Sequence, residues 1–293
     1  MNVRPYTDED AAALAALVAA DEEELYDRPS RLQPSDIAIW NTYADEMRLY
    51  EEDGRLVAAC AYGVQGDIAI LIGIVADKGR GLGTKIVEGG EAFARERGIP
   101  RIHAQTREPD EAARRLFEAR GYREIRRFYD MAIELDDAPD VPDLPEGLVL
   151  EPCGADEYRA FYDALDEAFQ DHWEWHPTPY ETWLERRHGQ HRDEQGPLWW
   201  VIRDGDEIAA VAANRADREG GGYVGALGVR RPWRGRGLAK MLLLHTFADF
   251  HRRGKPRVSL GVDADSPTGA THLYERVGMF VEACAVVFEK ATA

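Results

Sequence analysis

The stretch RRPWRGRGLAK, residues 230–240, decides how the chain is read. An apolar run, YVGALGV (223–229), precedes it. After it, Leu243, Phe247 and Phe250 recur at helical spacing, and Leu238, Met241 and Leu242 broaden the apolar face. The order is therefore strand, glycine-rich turn, helix. The first amides of a helix have no internal partner, and the helix dipole makes that end positive. Glycines let an anion come close to the backbone. Arg230, Arg231, Arg234 and Arg236 crowd the same turn, and guanidinium groups add charge-assisted contacts. The stretch is built to hold an anion.

Spacing excludes two common anion cradles. A Walker loop needs GxxxxGK[ST], whereas Lys240 is followed by Met241 and the glycines are misplaced. A dinucleotide fingerprint needs a third glycine or alanine, and that position holds Lys240. Antiparallel hairpins, rather than a βαβ unit, also precede the motif.

Working outward, the motif occurs twice. GRGLGTKIVEGGEAFARERG (79–98) matches GRGLAKMLLLHTFADFHRRG (235–254), an offset of 156. Pro5 and the helix after it match Pro152 and its helix at an offset of 147. LFEARG (116–121) matches LYERVG (273–278) at an offset of 157. Three ordered blocks at a steady offset indicate a tandem duplication. Between the copies, LDDAPDVPDLPEG (135–147) has three prolines, so it can be neither helix nor central strand. The expected domains are 1–138 and 148–293, joined by a linker at 139–147. Each copy reads as a helical start, a hairpin (around Asp53-Gly54 and Asp204-Gly205), an apolar strand, the glycine turn, a helix, and a closing strand–helix–strand. That is a mixed α/β layer, helices covering a sheet.

The net charge of −18 is shared by both halves, −11 over 1–140 and −7 over 141–293, which argues against nucleic-acid binding. The longest apolar run, AILIGIVA (69–76), is far short of the roughly 20 residues a membrane helix needs. The opening MNVRPYTDED shows no secretory signal. Cys60, Cys153 and Cys284 are dispersed, so neither a disulfide framework nor a cysteine metal site is expected, and a cytoplasmic location is. His172 and His176, and His188 and His191, have helical spacing, but no HExxH occurs and no metal is expected.

Arg234-x-x-Gly237-x-Ala239 resembles the [Q/R]xxGx[G/A] pyrophosphate-binding motif of the GCN5-related N-acetyltransferases, the GNAT family. SPTGATHLYERVGM (266–279) resembles the downstream signature of that family. The resemblance covers nearly the whole chain as two copies, similar to two-domain members of the mycothiol synthase type. It implies two mostly antiparallel sheets, each splayed and flanked by helices. It also implies acetyl-CoA as co-substrate, a small-molecule primary amine as acceptor, and direct attack of that amine on the thioester. Mycothiol synthase activity itself, and a non-catalytic ligand-binding scaffold, are the alternatives.

The same resemblance assigns roles by position. Leu227, Gly228 and Val229, at the end of the fourth strand, offer the amide for the oxyanion. Arg234, Gly235, Arg236, Gly237, Leu238 and Ala239 form the pyrophosphate loop, with Ser266 where the family has asparagine. Tyr274 stands where a tyrosine protonates the leaving thiolate. The first copy has Phe117 there, and its cradle of Gly81 and Gly83 has Lys78 in place of arginine or glutamine. Chemistry is therefore expected in the second copy, with the first degenerate. The fourth strand of the second copy carries no acid and has Tyr223 where one would stand. General-base candidates lie instead in FQDHWEWHP (169–177): Asp171, His172, Glu174 and His176, with Glu174 first. Trp173 and Trp175 could line a pocket for a cationic amine.

Overall fold

The computed structural model describes residues 1–41, 44–187 and 192–292. In the first repeat, β1 (Asn2–Pro5) leads to α1 (Ala11–Tyr26) and α2 (Pro34–Asn41). Next come β2 (Glu46–Glu52), β3 (Arg55–Gln65), β4 (Ile68–Val75), α3 (Leu82–Glu96), β5 (Arg101–Arg107) and α4 (Glu111–Ala119). Asp53 and Gly54 turn β2 into β3 with φ of 51° and 76°. Two consecutive positive φ values are what a two-residue hairpin with the native strand twist requires. Strands β1 to β4 pair antiparallel, and β4 pairs parallel with β5. Helix α3 buries Ile86, Val87, Gly90, Phe93 and Ala94 on one face. Gly90 belongs there because a Cβ would meet Tyr62, Leu71 and Ile102 at 3.2–3.3 Å.

After β6 (Arg123–Glu134), the second repeat follows the same plan. It holds β7 (Leu148–Pro152), α5 (Tyr158–Phe169), α6 (Tyr180–Arg186) and the short hairpin of β8 (Arg192–Asp193) and β9 (Gly196–Pro197). Then come β10 (Trp199–Asp204), β11 (Glu207–Arg218), β12 (Gly221–Val229), α7 (Leu238–Arg252), β13 (Arg257–Asp263) and α8 (Ala270–Arg276). The β10–β11 turn is Gly205-Asp206, one position later than Asp204-Gly205, with Gly205 at φ 58°. Its core packs Phe161 of α5 flat on Trp199, with ring centroids 5.0 Å apart, and adds Trp183 at 5.3 Å from Trp199. Leu243, Phe247 and Phe250 of α7 are buried in the same core, as their spacing requires. Residues 139–147 form neither helix nor strand. No described helix is long and apolar enough to cross a membrane.

The last strand of each repeat closes the sheet of the other. Residues Ala285–Ala291 of β14 (Phe280–Ala291) pair antiparallel with β5, and Val286, Val287 and Phe288 are buried there. The end of β6 lies beside β13. Buried Arg257 of β13 donates to Glu134 (2.7 Å) and to Glu282, and Leu135 N donates to Pro256 O at 2.7 Å. The compact units are therefore Met1–Phe128 with Ala283–Ala293, and Tyr129–Glu282. They differ from the chain-order halves 1–138 and 148–293: residues 129–138 lie with the second repeat and 283–293 with the first. The apolar alternation of a strand specifies which face it buries, but not whose edge it joins.

Candidate active site

Gly237 is the N-cap of α7 at φ 80°, and Gly235 precedes it at φ 76°. A Cβ at either would meet nothing within 4 Å, so the left-handed backbone, not crowding, calls for glycine. The first α7 bond runs from Met241 N to Gly237 O (3.2 Å), so the Leu238, Ala239 and Lys240 amides come before the helical ladder begins. Leu238 is buried and pins the turn from below. The first repeat reproduces this with Gly79 (φ 87°), Gly81 (φ 77°) and a Lys85 N to Gly81 O bond of 3.2 Å. There Gly83 replaces Ala239, and a Cβ would come within 3.0 Å of Leu116.

The arginines do more holding than presenting. Arg234 donates from Nε to Val229 O (3.1 Å), from Nη2 to Ala168 O (3.1 Å) and from Nη1 to Asp171 (2.7 Å). It thereby ties the cradle to the end of β12 and to α5. Arg231 takes the other Asp171 oxygen at 2.7 Å, and Arg230 bonds Glu167 at 2.6 Å. Hydrogen bonds from Arg231 and Arg234 hold the Asp171 carboxyl down at about 2. Arg236, 53% exposed and 4.0 Å from Asp204, is the least engaged of the four. In the first repeat Lys78 lies 3.2 Å from Asp21 and 3.6 Å from Asp110.

Beside the cradle the sheet opens. β12 and β13 pair at Gly222–Val258 and Tyr223–Ser259, with no further registers. The equivalent strands β4 and β5 stay paired over five, Ile68–Arg101 to Ile72–Gln105. The split in the second repeat is thus three residues deeper. A bulge at Gly225 bends β12 where its pairing with β11 skips from Ala226 to Val224. Arg230 N donates to Ala209 O (3.0 Å), so by alternation the Gly228 N–H also turns toward β11. The Leu227 and Val229 amides turn the other way, into the opening. Gly228 is small because α5 lies against it: a Cβ would stand 2.8 Å from the Ala168 methyl.

Tyr274 of α8 is 8% exposed, and its phenol is pushed up to about 12 by burial and, secondarily, by Tyr223. It stays a neutral proton carrier at any ordinary pH. Ser266 bonds Thr268 Oγ1 (2.8 Å) and shapes the turn before α8. The first-repeat counterpart, Phe117, is buried against Phe288 (5.4 Å) and Tyr122 (5.6 Å).

The candidate bases have different partners. Asp171 is committed to two arginines. Glu174 sits at φ 49° with its carboxylate 3.7 Å from His176 Nε2. His172 is stacked on Phe169 (4.2 Å), and its imidazole is lowered chiefly by burial, with Asp263 and Arg234 as opposing nearby charges. His188 and His191 lie outside the described residues. One group escapes sequence reasoning altogether: Asp130 of β6, whose Oδ1 lies 3.9 Å from the position of a Gly261 Cβ. No linear pattern marks it, because it reaches this unit only through the exchanged strand.

Comparison with known proteins gives the same outline twice over. The profile described as Acetyltransferase (GNAT) family matches residues 13–122 and again 158–279. The mycothiol acetyltransferase of Thermobifida fusca is 30% identical over 253 residues, 78% of this chain and 76% of that one. Among solved structures, the GCN5-related N-acetyltransferase from Sphaerobacter thermophilus has a TM-score of 0.84 at 33% identity, covering 99% of this chain and 95% of that one. A tandem GNAT protein from the clavulanic acid biosynthesis pathway shares the fold, with a TM-score of 0.77 at 17% identity over 100% and 98% of the chains.

Proposed function

The chain belongs to the GNAT acetyltransferase family and is an acyltransferase, and from that premise we propose that it moves an acetyl group from acetyl-CoA to the primary amine of a small molecule, with the chemistry in the second repeat. When bound, the co-substrate supplies an activated acetyl thioester. The cradle fits its pyrophosphate: left-handed glycines, early amides of α7, and Arg236 at the rim. The amides of Leu227 and Val229, turned away from β11 into the opening, are the proposed donors to the oxyanion. Tyr274, buried and kept neutral, is the proposed donor of a proton to the departing sulfur.

One observation carries the choice of repeat. β12 and β13 separate after Tyr223–Ser259, whereas β4 and β5 stay zipped three residues longer. The opening in the second repeat supports a slot for an extended pantetheine arm there, whereas the first repeat keeps its ladder closed. Phe117 at the repeat position equivalent to Tyr274 agrees with this, as does Lys78 engaged by two aspartates. The similarity to mycothiol acetyltransferase favours that protein's kind of acceptor as a second, narrower reading.

Native mass spectrometry with acetyl-CoA tests the division of labour. One equivalent is expected, abolished by Gly237→Glu and kept by Gly81→Glu. Two equivalents, or one lost through Gly81→Glu, would overturn it.

A further inference from the structure

The fourth strand of the second repeat carries no acid, yet a carboxylate reaches its opening from elsewhere. Asp130 lies on β6, the strand that the first repeat contributes to this unit. Tyr129, Met131 and Ile133 pack in the apolar core, so alternation sends Asp130 out from the opposite face. There Asp130 Oδ1 is 3.9 Å, and the Tyr223 hydroxyl 3.7 Å, from the point a Gly261 Cβ would occupy. Tyr223 is the last β12 residue still paired with β13. The two oxygens thus border the mouth of the split.

Gly261 adds an independent observation. It lies mid-strand between buried Leu260 and Val262, and its φ is not in the left-handed region. Its backbone needs no glycine, and glycine weakens a strand, so such a residue marks a place where another group comes close. Here the missing side chain keeps the space between Tyr223 and Asp130 open. Other charged groups border the same face. The Arg215 and Arg218 guanidiniums lie over the Tyr223 ring at 4.9 and 4.1 Å. Arg187 Nη1 lies 3.7 Å from the position of a Gly225 Cβ, and Asp263 ends β13.

We infer that Asp130 receives the ammonium group of the acceptor and accepts a proton from it, so that a residue of the first repeat serves the reaction of the second. This rests on the acetyl-transfer function proposed above. Of the three ammonium protons, one passes through Asp130 to solvent, freeing the lone pair. The C–N bond forms as the C–S bond breaks. A second proton ends on sulfur, and the third stays on the amide nitrogen. Tyr223 and the gap at Gly261 orient the amine.

The test uses the full chain and four probe amines: glucosamine, spermidine, tyramine and L-cysteine. Acetylated product is followed by mass spectrometry, and ternary complexes with CoA by native mass spectrometry. Asp130→Asn is expected to cut kcat/KM for the best amine by about 100-fold or more, the scale of a lost acid–base group. Acetyl-CoA Kd should stay unchanged, and Asp130→Glu should restore part of the rate. Gly261→Val, which fills the gap, should raise the amine KM severalfold at unchanged acetyl-CoA affinity. Asp130→Asn activity within threefold of wild type, or an equal loss of acetyl-CoA binding, would overturn the assignment. So would a wild-type protein that binds acetyl-CoA but neither acetylates nor binds any of the four amines; the donor half of the proposed function would then still stand. Failure to bind acetyl-CoA at all would overturn both.

Discussion

Asp171 Oδ2 stands 2.7 Å from Nη1 of Arg234, and this one contact changes what the arginine-rich turn means. The cradle arginine already gives three of its five N–H groups to Asp171, Ala168 O and Val229 O. It acts as a strut between α5, the end of β12 and the glycine loop. The backbone amides of the glycine loop are therefore the proposed main donors to the anion, with the remaining Arg234 N–H groups beside them.

Asp171 also places a negative charge beside the cradle. Asp171→Asn is expected to tighten acetyl-CoA binding severalfold and to steepen its salt dependence, since one local repulsion is removed. Isothermal titration at two ionic strengths measures both. Binding weakened tenfold or more would show instead that the carboxylate holds the loop in shape.

Tyr274→Phe should lower kcat by about 100-fold or more with acetyl-CoA affinity unchanged. Because its phenol is raised to about 12, the donating form persists throughout the neutral and mildly alkaline range. The rate of the wild type should therefore not fall between pH 8 and 10 through ionisation of this group. An alkaline limb that disappears in Tyr274→Phe would contradict that assignment.

His172 and His245 are both lowered from the usual histidine value by burial. The unfolded chain then takes up protons before the folded one as pH falls. Their contribution to stability is complete above about pH 6.5 and is lost as pH drops through the lowered folded-state values. Wild-type Tm should decline from pH 7 to 5, and His245→Gln, which no longer charges, should show a shallower decline. Equal slopes for the two proteins would remove His245 as a contributor.

Strand exchange predicts that the repeats cannot be separated by cutting between them. Residues 1–138 would lack β14, and 139–293 would lack β6. Each fragment expressed alone should be aggregated or unfolded by circular dichroism. Co-expression should recover a soluble pair that binds acetyl-CoA. A monomeric, cooperatively folding 139–293 fragment would argue against the exchange.

Much of this was legible without coordinates. Repeat offsets, glycine turns and helical spacing identify both cradles, because left-handed φ values and amphipathic periods leave marks in linear order. The contrast of Tyr274 with Phe117 is likewise visible, since a phenol and a phenyl differ at aligned positions. The β10–β11 turn shifted by one residue, because Asp-Gly and Gly-Asp both satisfy a tight hairpin and local sequence does not choose between them. Glu174, first among the candidate bases, has a left-handed φ and a carboxylate 3.7 Å from His176 Nε2, a local geometry that spacing along the chain does not specify.

Linear order sufficed for the architecture of each repeat and for the contrast of Tyr274 with Phe117, for these depend on local conformation and on residue identity. Folding set the rest: where the closing strands go, how deep each sheet splits, which charges the arginines already meet, and that Asp130 stands near Tyr223. Those are pairings between residues far apart in the chain. They are selected by which edges and charges meet once the chain is folded, and short-range periodicity carries no record of them.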